Sequence, residues 1–305
     1  MKHPQNIVDK IIEYKQEGYK SRAIGKLLGI GKSTVNDIWN RYKAENGIPK
    51  QRVLLFDIES APSLAAVFGR WNQNIQQDAV VKEGGFMLSA AWMFLDEPDN
   101  LQSQVLTPNE VKEGNDSAIC ASLYEAFESA DVVVGHNVKR FDLPLFRARL
   151  VANGMPPHKK VRVVDTLAIA KTMRFNSNRL GDIAQQLGCE TKLDTGGIKL
   201  WIAAMQGDLA ALYLMRRYNE QDVRVLKDVY MQFRAFDNNP PNLALSQNNQ
   251  HFACPVCGSA NVIKTGNNVY TKVSVFEEVC CKDCGHRSKT RTYLNSTNSR
   301  KKLLG

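Results

Sequence analysis

Val53-Leu54-Leu55-Phe56 runs directly into Asp57-Ile58-Glu59. An unbroken apolar run of this kind suits a strand buried on both faces, in a sheet covered on each side. Side chains alternate along a strand, so Asp57 and Glu59, two residues apart, share one face. Two carboxylates held side by side at the end of a buried strand repel each other unless a cation neutralises them. A strand that simply runs out into polar residues accounts for one acid on that face better than for two.

A second apolar strand, Asp131-Val132-Val133-Val134-Gly135, leads through His136-Asn137-Val138-Lys139-Arg140-Phe141 to Asp142-Leu143-Pro144. A helix through Phe146, Leu150 and Val151 should begin there, and an aspartate with proline in the first turn reads equally as a helix cap. A long helix from about Asp208 to Phe236 contains no Gly or Pro. Its buried stripe is Leu212, Met215, Asn219, Asp222, Leu226, Val229 and Phe233, in steps of three and four. Asp222 lies within that stripe, where an uncompensated carboxylate is costly and calls for a cation or strong donors. Tyr218, four residues earlier, is its neighbour on the helix surface.

Asp57-Ile58-Glu59, then Asn137-x-x-x-Phe141-Asp142, then Tyr218-x-x-x-Asp222 resemble the three exonuclease motifs of the DEDD superfamily. Tyrosine in the third motif is similar to the DEDDy branch, the type of the proofreading domains of family-B DNA polymerases. The resemblance covers roughly residues 51–236 and implies an α/β, ribonuclease-H-like mixed sheet with flanking helices. Phe86 to Phe94, Leu101 to Thr107 and Val161 to Asp165 are the expected further strands.

An oxygen-only carboxylate set suits Mg²⁺ or Mn²⁺. Two such ions can hold both the attacking and the leaving oxygen of an in-line phosphodiester displacement. By the resemblance, Asp57 bridges two ions, Glu59 and Asp222 complete one site, and Asp142 serves the second, partly through water. Tyr218 orients the nucleophilic water, since a phenol with a pKa of ~10 is a poor base at neutral pH. Asn137 and Phe141 match the second motif and are expected on the terminal nucleotide. Lys139 and Arg140 are candidates for backbone contact or solvated surface, His136 is read as structural, and Asp165 as a supporting acid or a helix cap. Arg174 to Arg179 is expected as a substrate-side loop.

The two ends differ from this centre. Residues 6–43 read as three short helices, with Ser21 and then Ser33 or Thr34 as expected caps. Helix, glycine turn (Gly29-Ile30-Gly31), helix is similar to the helix-turn-helix of resolvase- and transposase-type DNA-binding domains. The third helix would present Lys32, Ser33, Thr34, Asn36, Asn40 and Arg41 to phosphates and base edges. Near the other end, Cys254-Pro255-Val256-Cys257-Gly258 and Cys281-Lys282-Asp283-Cys284-Gly285 are two Cys-x-x-Cys-Gly turns. Four thiolates so spaced close a tetrahedral structural Zn²⁺ site, and the segment resembles a zinc ribbon. Disulfide pairing is the alternative in an oxidising compartment, and Cys280 could replace Cys281 as the ligand. Cys120 and Cys189 read as buried apolar thiols. Arg287, Lys289 and Arg291 suggest DNA contact, although such ribbons also dock proteins.

The charge follows the same division. The net +9 divides as +5 over residues 1–50, −2 over 51–239 and +6 over 240–305, which favours polyanion partners at both ends. With 305 residues and breaks at Ala44–Lys50 and Asn238–Gln250, the expected domains are 1–46 (helix-turn-helix), 51–237 (exonuclease), 238–250 (linker), 251–294 (zinc ribbon) and 295–305 (basic tail). No apolar run approaches the ~18–20 residues of a membrane span, and no signal core follows Met1-Lys2-His3-Pro4-Gln5. A soluble, cytoplasmic protein is expected, bacterial or from a phage-infected cell.

The expected activity is two-metal 3′–5′ exonucleolysis of DNA, in replication, repair or recombination. Removal of RNA 3′ ends is the alternative enzyme reading, because nothing in the sequence shows how the 2′-OH is treated. A DNA-binding regulator built on an inactive nuclease core is the alternative of another class.

Overall fold

Three helices occupy the N-terminal segment of this computed structural model, which describes residues 4–46, 50–69, 71–190, 196–246 and 252–303. They are α1 (Gln5–Gln16), α2 (Ser21–Leu28) and α3 (Lys32–Asn46), and they bury Ile11, Ile24, Val35 and Ile38 against one another. α2 closes on Gly29 at φ +67, and the Ile30 amide then donates to the Gly25 carbonyl at 2.9 Å. A Cβ on Gly25 would stand 2.7 Å from the Ile30 carbonyl oxygen, so the turn folds back only over a glycine. The expected caps are corrected. Ser21 is the first residue of α2, behind a Lys20 cap that makes no side-chain bond. Ser33 and Thr34 lie inside the first turn of α3, where the Val35 amide already donates to the Gly31 carbonyl at 3.1 Å. Lys32, Ser33, Asn40 and Arg41 are exposed, whereas Thr34 and Asn36 are half-buried.

The expected first linker has Gly47-Ile48-Pro49, and the second has Gln247 to Gln250, outside the described residues, as is Met1 to His3. The chain parts into two compact units, residues 51–241 and residues 1–50 with 242–305.

In the central unit the elements are β1 (Val53–Ser60), β2 (Leu64–Ala65), β3 (Val80–Lys82), β4 (Met87–Phe94), β5 (Gln102–Val105), α4 (Pro108–Glu113), α5 (Ser117–Ser129), β6 (Val132–Gly135), α6 (Asp142–Ala152), β7 (Arg162–Asp165), α7 (Thr166–Ala170), α8 (Leu180–Gln186), α9 (Ile198–Met205) and α10 (Leu209–Phe233). Five strands form one mixed sheet in the order β5-β4-β1-β6-β7. β1 is its centre, antiparallel to β4 and parallel to β6, with Asp57 opposite Ala91 and Leu54 opposite Val133. The expected strands therefore form, β1 running one residue past Glu59 and the others one or two residues shorter at one or both ends, and the fold is ribonuclease-H-like.

Val53 to Phe56 are buried, as an apolar run between covered faces requires. Phe56, Phe127 and Phe146 interlock beneath the sheet, with ring centroids 5.1 and 4.8 Å apart. α10 lies across β1 and β4. It starts at an Asp208 cap that accepts from the Ala211 amide at 2.7 Å, and a 3₁₀ turn, Arg234–Phe236, replaces its expected last turn. The short β2–β3 hairpin was not legible in the sequence. Cys120 is buried as expected, but Cys189 is only half-buried and accepts from Gln232 Nε2 at 3.3 Å.

At the C-terminal end, β8 (Val262–Tyr270), β9 (Val275–Cys281) and β10 (Arg287–Tyr293) form an antiparallel sheet in the order β10-β9-β8. Arg287 pairs with Glu278 at 2.8 Å and Lys289 lies over the Phe276 ring at 4.4 Å. The expected basic tail contains a further helix, α11 (Thr297–Lys301), capped by Ser296. Among the described residues no helix is long and apolar enough to cross a membrane.

Candidate functional site

β1 delivers two acids to one place because its pleat aims Asp57 and Glu59 away from the core that Ile58 enters. α10 supplies the third. Carboxylate oxygens of Asp57, Glu59 and Asp222 all lie within 4.8 Å of one another. Asp222 is buried, and the other two are half-buried. Three carboxylates at such range, with no imidazole or thiol among them, fit a hard divalent cation.

Asp142 stands beside this group and not within it. It is the first residue of α6, with Phe141 in the cap position, and its carboxylate does not cap the helix. Instead its Oδ1 accepts from the Ile58 amide at 3.2 Å, across the strand that carries Asp57 and Glu59. Burial pushes the Asp142 carboxyl up to about 6, and the nearby charge of Asp165 adds to the rise. Asp165 both caps α7 and gathers the preceding loop. It accepts from the amides of Asn137 (2.9 Å), Lys139 (3.3 Å) and Leu167 (3.0 Å). Asn137 is held at φ +64 in that loop, a left-handed conformation that asparagine tolerates better than most residues.

Asp57, Asp222 and Tyr218 line one cleft of about 600 Å³, whose far wall includes His136, Asn137, Asn178 and Arg179. The Tyr218 ring meets Trp201 of α9 edge to face, with centroids 5.9 Å apart. His136 spans the cleft wall, one ring nitrogen 2.9 Å from Thr166 Oγ1 and the other 2.9 Å from the Asn178 carbonyl. It thereby anchors the loop read from sequence as substrate-side. Phe141, Lys139 and Arg140 are exposed.

Asn219 and Trp201 were not singled out from sequence. Asn219 is fully buried and donates from Nδ2 to Asp57 Oδ2 at 2.7 Å, while Ser89 Oγ lies 3.1 Å from its Oδ1. Its signal was available: an amide in the apolar stripe of the long helix, one turn before Asp222.

The second cluster is Cys254, Cys257, Cys281 and Cys284, with all four sulfurs within 4.8 Å of one another. Two of the pairs, Cys254–Cys284 and Cys257–Cys281, are 3.6 Å apart. A tetrahedron with Zn–S bonds of ~2.3 Å has edges of ~3.8 Å, so the donor set and its spacing fit zinc. With the small three-stranded sheet they fit a zinc ribbon. Cys280 belongs to neither pair; its sulfur approaches the Cys281 carbonyl at 3.7 Å.

Residues 87–234 match the sequence model of RNase_H_2, a family of the RNase_H superfamily. That match covers β4 through α10 and leaves β1 outside it. No curated protein matches the chain. Among solved structures, the chain is similar to the family B DNA polymerase from the hyperthermophilic archaeon Pyrobaculum calidifontis, at 19% identity and a TM-score of 0.45. The alignment covers 61% of this chain and 26% of that polymerase, so this chain spans about a quarter of its length.

Proposed function

We propose that this chain is a metal-dependent 3′–5′ exonuclease of the DEDDy type that hydrolyses DNA phosphodiester bonds. The observation that carries the reading is the meeting of Asp57, Glu59 and Asp222 within 4.8 Å, on a cleft that also receives Tyr218. The RNase_H superfamily match over residues 87–234 supports it independently.

Asp57, Glu59 and Asp222 would hold a divalent cation, Mg²⁺ or Mn²⁺, with Asp142 serving a second. Such ions supply Lewis-acid stabilisation of the developing charge and make water a stronger nucleophile near neutral pH. The protein's own work is alignment. Asn219 fixes the rotamer of Asp57 by donating to its Oδ2, so one oxygen is committed to the amide and the carboxylate plane is set. Tyr218, which lines the cleft and is braced by Trp201, would orient the attacking water. Its phenol does not need to ionise for that role. Asn137, held in its left-handed turn by Asp165, and exposed Phe141 would meet the terminal nucleotide by hydrogen bond and by packing. His136 holds the Asn178–Arg179 segment at the cleft, where Arg179 can meet a phosphate.

The terminal parts serve placement on the nucleic acid. Lys32, Ser33, Thr34, Asn36, Asn40 and Arg41 lie on the helix that would enter the major groove, where Lys32, Ser33, Asn40 and Arg41 are exposed. Cys254, Cys257, Cys281 and Cys284 would hold one structural Zn²⁺, and the folded ribbon would contact DNA or dock a protein partner.

The test is degradation of single-stranded DNA, duplex DNA and RNA, each labelled at the 5′ end so that 3′ shortening appears as a ladder. Mg²⁺-dependent shortening that EDTA and Asp57→Ala abolish supports the reading. Faster shortening of RNA would transfer it to exoribonuclease. Tight DNA binding without any shortening would make the chain a DNA-binding regulator.

A further inference from the structure

Between β1 and β4 the chain makes an excursion of about two dozen residues, and that excursion carries the most exposed aromatic side chains of the described central unit. Phe68 is fully exposed and Trp71 is 83% exposed, and Val67 and Ile75 are each about half in solvent. Rings left in water at this density require an explanation.

The excursion is a built element. β2 and β3 pair at its base, with Leu64 opposite Lys82 and Ala65 opposite Val80, and the Ala66 amide donates to the Ala79 carbonyl at 2.9 Å. At the root its two limbs meet backbone to backbone: a Cβ on Gly84 would collide with the main chain of Ala61 to Ser63, so only glycine permits the approach. Lys82 Nζ donates to the Met205 carbonyl at the end of α9, the helix whose Trp201 braces Tyr218.

Three features choose the occupant. The arm leaves the sheet after Ser60, the residue next to Glu59, and even a fully extended chain places the Phe68 Cα no more than ~32 Å from the Glu59 Cα. Not one Asp or Glu occurs from Ser60 to Gln77, in a central unit that is net acidic, and Arg70 is the only charge in that stretch. The residues around the rings are amides, Asn72, Gln73, Asn74 and Gln76, all exposed. Flat rings, hydrogen-bonding amides and no negative charge suit unpaired bases, whose faces stack on any aromatic ring regardless of sequence.

We infer that residues 66–69 and 71–77 form a stacking arm that holds the bases of a single-stranded nucleic acid whose end lies in the cleft, with Phe68 and Trp71 as the platforms. The inference rests on the nuclease reading for the location of that end, but not for the binding itself.

Its test uses the full-length chain and a twelve-nucleotide single-stranded DNA with 5-iododeoxyuridine placed at successive positions from the 3′ end. Irradiation without added divalent cation, followed by peptide mapping, should find adducts on Phe68 or Trp71 at a defined distance from the 3′ end. Such adducts support the arm whether or not the chain hydrolyses DNA; adducts confined to other segments overturn it. A second measurement separates stacking from general stickiness. Phe68→Leu with Trp71→Leu should raise KM for the same strand about tenfold or more, while Phe68→Trp with Trp71→Phe stays within twofold. If the two pairs behave alike, the rings do not stack on bases and the inference is overturned; if the leucine pair loses only self-association, the surface belongs to a second copy of the chain. Hydrolysis by the unaltered chain, measured beside these, reports on the nuclease reading separately.

Discussion

Asn219 Nδ2 lies 2.7 Å from Asp57 Oδ2, a bond between the middle of the longest helix and the central strand across 162 positions of sequence. A hydrogen bond to a charged group is worth about 1.5–3 kcal/mol. In an uncharged partner that energy fixes orientation without adding a competing charge to the acid cluster. Asn219→Ala should therefore lower kcat by about ten- to a hundredfold with KM little changed, because substrate contacts remain and the geometry of Asp57 is lost. Steady-state kinetics on single-stranded DNA checks this; a change confined to KM would mean that Asn219 contributes to binding instead.

Asp142 should cost stability at neutral pH. Its folded-state pKa, about 6, exceeds the ordinary value of 3.8, so the folded chain holds that proton more tightly than the unfolded chain. Stability from this group is complete below about pH 4, declines as pH rises through 6, and is absent above it. The loss is on the order of 3 kcal/mol for two pKa units. Asn keeps an oxygen for the Ile58 amide and removes the charge. In magnesium-free buffer, Asp142→Asn should thus melt higher than the unaltered chain at pH 7.5 and at nearly the same temperature at pH 4, while losing most nuclease activity. Equal melting points at both pH values would show that the carboxylate is solvated more than its burial indicates.

The parts of this fold that the sequence discloses are those where one physical rule dominates. Val53 to Phe56 must be covered on both sides, and the stripe of the long helix must be buried; together these place Asp57, Glu59 and Asp222 before any coordinates are known. Asp142 was harder, because a helix-start aspartate followed by proline satisfies local capping rules equally well. Only the tertiary approach of α6 to β1 turns its carboxylate to Ile58. The cap at Ser33 failed for the opposite reason: the tight Gly25–Ile30 turn sets where α2 ends and α3 begins, so Ser33 falls inside the first turn. Ser21 failed because the helix starts one residue earlier than a serine cap would place it, on the Lys20 carbonyl that accepts from the Ala23 and Ile24 amides. The β2–β3 hairpin was hidden because two paired residues per strand leave no alternation to detect.

Zinc should be found at one ion per chain, and its loss should be selective. The C-terminal sheet has a small core, Cys254, Val256 and Cys281 with a few half-buried neighbours, so a bound metal would supply most of its folding energy. Cys281→Ser removes a sulfur from the four-sulfur cluster, whereas Cys280→Ser alters a thiol that faces the Cys281 and Gly285 carbonyls. Atomic emission on the purified variants should show zinc retained in Cys280→Ser and depleted in Cys281→Ser. The reverse result would assign the ligand to Cys280 and shift the register of β9.

Gly25 offers the sharpest test of the N-terminal helices, because helix propensity and packing make opposite forecasts there. In an isolated helix Gly→Ala is favourable by about 1 kcal/mol. Here the new Cβ would sit 2.7 Å from the Ile30 carbonyl oxygen, a backbone atom that cannot move without opening the turn into α3. Forced overpacking costs about 1–3 kcal/mol, so packing should prevail. Gly29 provides the control: its φ of +67 disfavours alanine, but no atom lies within 4 Å of the added carbon. Affinity for duplex DNA, measured by fluorescence anisotropy at fixed salt, should therefore fall several-fold more in Gly25→Ala than in Gly29→Ala. If Gly25→Ala binds as well as the unaltered chain, the angle between α2 and α3 does not govern DNA binding, and the three helices have another role.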